Sequence, residues 1–263
     1  MKRKHALVIG GTRGAGRAVV KLFAGKGYIL SVIGRRQPAE SDVHAPDVHY
    51  WVVDLLDQDR LANALAEIVH KNGKLDSVVF CQRFRGQDDP WTGDFNTSLT
   101  ATKQIVEAVT DWFDDAGDKS IVMIGSIAST FIATEQPVGY HVAKAGLIQM
   151  VRYFAVTLGP KGIRVNAVSP GSFLKEESRH FYLQNKELLD LYQRITPLGR
   201  MGTAEEVAAT AEFLCGTSSS FITGQDLVVD GGLSLQGQES LARSLVNLNH
   251  LPVTRQTPQT ANP

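Results

Sequence analysis

Seven short runs of apolar, mostly β-branched residues recur along this chain, each separated from the next by a longer segment of helical period. That alternation restricts the fold more than any other feature. The runs cover residues 6–9, 29–33, 50–53, 77–81, 121–124, 164–168 and 226–229. Near-continuous apolar strands are those buried on both faces, and parallel neighbours require a crossover long enough for a helix. The expected class is therefore α/β, a parallel sheet with helices on both faces. Between the runs, Leu61, Leu65, Ile68 and Val69 recur at helical spacing, and Ile105, Val106, Val109 and Phe113 do the same. Each set puts an apolar stripe on one side of a helix. Thr203, three residues before Glu206, predicts a capping box ahead of Val207, Ala211 and Leu214. Residues 1–235 read as one domain. Residues 236–263 read as an extension, with one amphipathic stretch (Leu241, Leu245, Leu248) before a frayed end.

Composition excludes several function classes. With 43% hydrophobic and 21% charged residues the chain can bury a large core. Lys+Arg and Asp+Glu are both 27, so no global field draws in nucleic acid or anionic membrane. No apolar run reaches the roughly 20 residues of a membrane span, and the few apolar residues after His5 fall short of a signal peptide. A soluble, cytoplasmic protein is expected. Cys81 and Cys215 stand apart outside any CxxC, and the seven histidines form no metal-binding pair, so no metal site is expected.

The first run leads into Gly10-Gly11-Thr12-Arg13-Gly14-Ala15-Gly16, after which Val19, Val20 and Phe23 carry a helical stripe. Glycines let such a turn approach a pyrophosphate, and the free N–H groups of the following helix stabilise its charge. Gly10, Thr12, Arg13, Gly14, Ala15 and Gly16 are thus expected to cradle a dinucleotide. After the second run, where an acidic residue would bind a ribose 2′-hydroxyl, stand Arg35 and Arg36. Arginine there neutralises a 2′-phosphate, which favours NADP(H) over NAD(H). Two solvated surface arginines are the alternative. Asp54 and Leu55 follow the third run at the carboxyl edge of the sheet, where Asp54 either contacts adenine or caps the next segment. Cys81 follows the fourth.

Gly125-Ser126 ends the fifth run, and Tyr140 and Lys144 follow at i and i+4, which puts both on one face of a helix. Reducing a carbonyl requires a hydride on carbon and a proton on oxygen. A phenol is a sluggish acid-base group near neutral pH, and a neighbouring ammonium favours its phenolate. A serine hydroxyl can hold the substrate oxygen beside it. Tyr182 and Lys186 repeat the spacing without a preceding strand or serine and read as a decoy.

In these pieces, together with Asn166 to Gly171, Pro197 to Arg200 and Thr223 to Gly232, the sequence resembles the short-chain dehydrogenase/reductase family over roughly residues 5–235, with reductases of 3-oxoacyl carrier proteins among its relatives. The resemblance implies a doubly wound Rossmann fold with a seven-stranded parallel sheet. It implies Tyr140 as general acid-base, Lys144 tuning it and binding the nicotinamide ribose, Ser126 orienting the carbonyl, and Pro170, Gly171 and Phe173 along the nicotinamide. Homotetramers or dimers are expected. The sequence departs from the family pattern at three points. Phe80-Cys81-Gln82-Arg83 replaces the usual Asn-Asn-Ala-Gly. Ser98 replaces the relay asparagine. The spacing from Ser126 to Tyr140 is one residue longer than the family pattern implies, which leaves Ser129 as a weaker candidate for the serine role.

The expected function is NADP(H)-dependent hydride transfer between a nicotinamide and a carbonyl or secondary alcohol; the alternative is a dinucleotide-binding regulator or scaffold with little turnover. Arg83 and Arg85, with the mixed aromatic and charged segment 172–182, lie near the expected mouth of the site. They either pair with an anionic substrate or form ordinary solvated loop charge.

Overall fold

The computed structural model describes residues 3–40, 42–86 and 89–248. The predicted frayed end, residues 251–263, lies outside them. Seven strands form one sheet: β1 (His5–Ile9), β2 (Ile29–Gly34), β3 (Val48–Val52), β4 (Ser77–Phe80), β5 (Lys119–Ile124), β6 (Ile163–Pro170) and, at its far edge, β9 (Asp226–Val229). Every pairing is parallel and the spatial order is β3-β2-β1-β4-β5-β6-β9. This is the doubly wound arrangement, with its switch point between β1 and β4. Two-residue strands β7 (Phe173–Leu174) and β8 (Gly202–Thr203) pair separately.

Alternation along each strand divides the core in two. Leu7, Ile9, Val78, Phe80, Ile121 and Met123 pack on one face against α2 (Gln58–Asn72), α4 (Ala101–Val109) and α5 (Val138–Leu158). Ala6, Val8, Val79, Val122 and Val168 pack on the other against α1 (Gly14–Gly25) and α8 (Ala204–Cys215). Helices on both sides explain why the strands carry apolar residues at consecutive positions. The predicted capping box is present: Thr203 Oγ1 accepts from Glu206 N at 3.2 Å, and Glu206 accepts from Thr203 N at 2.9 Å. The helix α3 (Pro90–Phe95) continues through a π-turn at Asn96–Thr100 into α4.

Two local expectations are corrected. The helix α1 begins at Gly14 rather than after Gly16, so the last glycines of the turn form its first turn. Phe113 lies beyond α4, past a 3₁₀ turn at Thr110–Trp112, and is buried where the backbone bridges to Leu75. The chain between β7 and β8 folds into α6 (Glu176–Gln184) and α7 (Lys186–Ile195), while α9 (Gln238–Leu245) carries most of the amphipathic stretch in the extension.

Because all seven strands point the same way, the residues that follow them meet along one edge. The ladder runs one residue past several strands: Gly10 N donates to Ile33 O, Cys81 N to Ile9 O, Gly125 N to Val168 O and Gly171 N to Val229 O. The glycine turn is packed to the limit there. A Cβ on Gly16 would stand 2.2 Å from Gly10 O, and one on Gly10, whose φ is +77°, would stand 2.8 Å from the Gln82 backbone. Backbone atoms cannot yield as a flexible side chain can, so Gly16→Ala should cost about 3 kcal/mol or more. Chemical denaturation checks this, with Gly25→Ala, which meets nothing within 4 Å, as the tolerant control.

Candidate active site

Along that edge a cavity of about 380 Å³ spans the switch point. Gly10, Thr12 and Arg13 line it from the glycine turn, Arg35 and Arg36 from the end of β2, and Asp54 and Leu55 from the end of β3. Cys81, Gln82, Arg83 and Arg85 line it after β4. Gly14, Ala15 and Gly16 stand just behind, in the first turn of α1. Burial pushes the Cys81 thiol up to about 12, so it presents a neutral SH group.

The two arginines after β2 do different things. Arg36 donates to Asp42 Oδ2 at 2.8 Å and also to the Thr12 carbonyl. Asp42 is nearly inaccessible and takes a second guanidinium, Arg17 Nε at 2.9 Å. Arg36 is thereby committed to holding the glycine turn. Arg35 is exposed and makes no ion pair among the described residues. Asp54 accepts from Leu56 N at 3.0 Å, the local capping alternative of the sequence reading.

Ser126, Tyr140 and Lys144 stand on neighbouring elements at the same edge. Ser126 follows β5 and caps the 3₁₀ turn Ile127–Ser129, its Oγ accepting from Ala128 N at 3.2 Å. That leaves its hydroxyl proton free to point outward. Ser129 closes the same turn, with its N–H on the Ser126 carbonyl. Tyr140 and Lys144 lie in the first two turns of α5, and the Lys144 ammonium stands 5.8 Å from the Tyr140 ring centre. Lys144 is only 4% exposed and donates to Ile124 O, the last residue of β5, at 2.7 Å. Burial first, and then the charge of Arg83, bring its pKa down to about 8. The extra residue between Ser126 and Tyr140 is accommodated in a loop that His141 secures. Its Nε2 accepts from Ala133 N at 3.0 Å and its Nδ1 lies 3.1 Å from the Pro137 carbonyl.

Several site residues were not predicted. The helix α3 brings Asp94, 3% exposed, into the field of Arg83 and Lys144; burial pushes its carboxyl up while those two cations pull it down. It lies four residues before the buried Ser98, whose carbonyl accepts from Thr102 Oγ1. That i, i+4 relation was the available signal. A second unpredicted contact joins the segment after β7 to the glycine turn: Gly14 N donates to Glu177 at 3.2 Å, and Arg17 and Lys21 both pair with Glu176. Pro170, Gly171 and Phe173 flank the site at the end of β6 and in β7 rather than lining the cavity. Tyr182 and Lys186 fall on different helices, α6 and α7, separated by Asn185, and do not repeat the geometry of Tyr140 and Lys144.

Comparison with known proteins agrees with this geometry. A family described as enoyl-(acyl carrier protein) reductase matches residues 10–234. The 3-oxoacyl-[acyl-carrier-protein] reductase FabG of Chlamydia muridarum is 32% identical over 245 residues, covering 88% of this chain and 97% of the relative. A short-chain dehydrogenase/reductase from Serratia marcescens superposes with a TM-score of 0.75 at 25% identity, covering 88% of this chain and 98% of that one. A structure described as ElxO with NADP bound superposes at 0.76 with 25% identity, covering 89% and 100%. With the parallel sheet, the glycine turn and the Ser126, Tyr140 and Lys144 arrangement, these matches make the chain a member of the short-chain dehydrogenase/reductase family of oxidoreductases.

Proposed function

We propose that this protein is an NADP(H)-dependent reductase of a ketone, running as an alcohol dehydrogenase in reverse. The observation that carries the reading is the buried Lys144 ammonium held between the Ile124 carbonyl and the Tyr140 ring, at the strand edge that carries the glycine-turn cavity. A protein that only binds a dinucleotide has no use for a desolvated cation beside a phenol.

The residues fit the coenzyme. The cradle at Gly10 and Gly16 has no room for a side chain, and the N-terminus of α1 faces an anion already, the Glu177 carboxylate. Arg35, which makes no ion pair among the described residues, is the residue for a 2′-phosphate, with Arg13 lining the same cavity. Arg36 supports them by fixing Thr12. Leu55 and Cys81 shape the adenosine side, and Asp54 retains one carboxylate oxygen for it. Pro170, Gly171 and Phe173 border the nicotinamide end. When bound, the coenzyme supplies the hydride.

The chain's own residues handle the oxygen. Ser126 Oγ–H donates to the substrate carbonyl and fixes it at Tyr140. Tyr140 Oη–H delivers the proton as the carbonyl carbon is reduced, and the phenolate so formed is stabilised by the Lys144 ammonium. Lys144 cannot swing away because its Nζ is tied to β5. Asp94 returns negative charge to a site otherwise crowded with cations and opposes the loss of the Lys144 proton. Ser98, buried on the same helical path, takes the relay position. The related reductase named for 3-oxoacyl groups and the NADP-bound structural neighbour support a carbonyl substrate and NADP(H).

Tyr140→Phe should lower kcat by at least about 100-fold with coenzyme binding intact, since only the proton donor is removed; steady-state kinetics beside calorimetric NADPH titration checks this. Tyr182→Phe should remain near the parent. Arg35 predicts NADPH binding tighter than NADH by about 1 to 3 kcal/mol, a difference that Arg35→Ala should largely abolish. The third expectation concerns pH. Because the pKa of Lys144 is depressed, its charge is present below about 8 and lost above it. The rate of carbonyl reduction should therefore fall as pH rises through that range, well before an ordinary lysine titrates. Lys144→Arg, which stays charged, should move the fall beyond the measured range even if its overall rate is lower.

A further inference from the structure

Three cations from two separate parts of the chain form one group, and Arg83 among them stacks on Tyr140. Arg83, which stands where the family pattern has glycine, lays its guanidinium 4.4 Å from the Tyr140 ring centre and donates to Gln136 Oε1. Arg85 lines the same cavity beside it. Lys175 approaches from the segment after β7, its ammonium 4.8 Å from the Phe173 ring. They lie close enough to feel one another. Burial, then Arg85 and Arg83, bring Lys175 down to about 8, and Arg85 is lowered by burial and then by Arg83.

Among the described residues, acidic partners do not fully neutralise this group. Asp94 faces Arg83 and Lys144, so one carboxylate is shared by two cations. Glu177 faces Arg85 and Lys175, but its oxygens accept from Gly14 N at 3.2 and 3.3 Å, and it lies 3.5 Å from Arg17. Crowded like charges in a partly desolvated cleft are unfavourable until an anion enters, and guanidinium groups match the planar fork of a carboxylate.

Resting on the carbonyl-reductase reading, we propose that Arg83 and Arg85, with Lys175 from the segment after β7, form the subsite for a carboxylate carried by the substrate. The substrate class is a 2-oxo or 3-oxo acid: its carbonyl lies at Ser126 and Tyr140, and its acid group lies on the guanidinium that covers the tyrosine ring. Stacking on Tyr140 puts Arg83 beside the reacting oxygen, so the acid group must sit a short linkage from the carbonyl. The reaction remains a hydride to carbon and a proton from Tyr140 to oxygen, with the carboxylate unchanged. The other anion that could reach these cations is the coenzyme pyrophosphate, and the test separates the two.

Initial rates of NADPH oxidation are measured with 2-oxobutanoate, 3-oxobutanoate and their methyl esters, using the parent, Arg83→Gln, Arg85→Gln and the double variant. Calorimetry in parallel follows NADP⁺ binding, and then malonate binding to the NADP⁺ complex. The proposal expects at least one acid to exceed its ester by about tenfold or more in kcat/KM, and this ratio to collapse towards one in the double variant. Malonate affinity should fall by about tenfold or more in the same variant while NADP⁺ affinity changes much less. Arg85→Lys should recover part of the loss, which a folding defect would not permit. Esters turned over as well as acids would overturn the proposal, as would malonate that does not bind the parent complex. Arginine variants that weaken NADP⁺ as much as malonate would overturn it too, giving the cations to the coenzyme. If no ketone is reduced but malonate binds through Arg83 and Arg85, the reductase reading fails while the anion subsite stands.

Discussion

Parallel pairing is the constraint on which the rest of this structure depends. Once β1 is flanked by β2 and β4 in the same direction, every strand must deliver its chain to the same edge and return it by a helix on one face or the other. The glycine turn, the arginines after β2, the cationic segment after β4 and Ser126 after β5 are neighbours for that reason alone. Contacts between them, such as Arg36 on the Thr12 carbonyl, then fix their side chains. The short hydrogen bonds just past the strand ends carry this order into the site, so its floor is as rigid as the sheet.

The helix α5 packs its apolar side chains on one face of the sheet, and the buried Lys144 adds a polar tie to that floor, Nζ to the Ile124 carbonyl. Holding an ammonium in a water-poor site opposes its charge, as the depressed pKa shows. The same desolvation strengthens its field at Tyr140, because Coulomb interactions grow as the local dielectric falls. Stability and chemistry thus make opposite demands on one side chain. Its backbone anchor and the nearby Asp94 are what keep it both charged and in place.

Much of this was legible in the sequence, for reasons that follow from period and proximity along the chain. Val-rich runs gave the strands, because a sheet covered on both faces leaves no polar side. The i, i+4 spacing gave Tyr140 and Lys144, because a helix turns every 3.6 residues. What could not be read depends on segments distant in sequence. Arg35 and Arg36 look equivalent as a pair, and only the fold reveals that Asp42 turns back to claim one of them. Gly14 and Glu177 lie 163 positions apart. Asp94 looks like one more surface carboxylate until α3 and α5 are packed so tightly that a Cβ on Gly139 would stand 2.9 Å from the Trp91 backbone. Phe113 fits the helical stripe, but the helix ends before it, and its burial comes from the β4 approach instead.

The contact between Glu177 and the first turn of α1 has a thermodynamic meaning. Those amides are already solvating a carboxylate, so any phosphate that settles there enters by exchange rather than by filling a void. The affinity observed for such a ligand is a difference between two anions competing for one set of donors. It therefore understates the strength of the contact finally made. The displaced carboxylate belongs to the same short segment as Lys175, so releasing it removes one of the contacts that hold that segment to α1. On the proposed function, coenzyme entry and the freedom of that segment therefore rise together, while the ion pairs of Glu176 with Arg17 and Lys21 limit how far it can move.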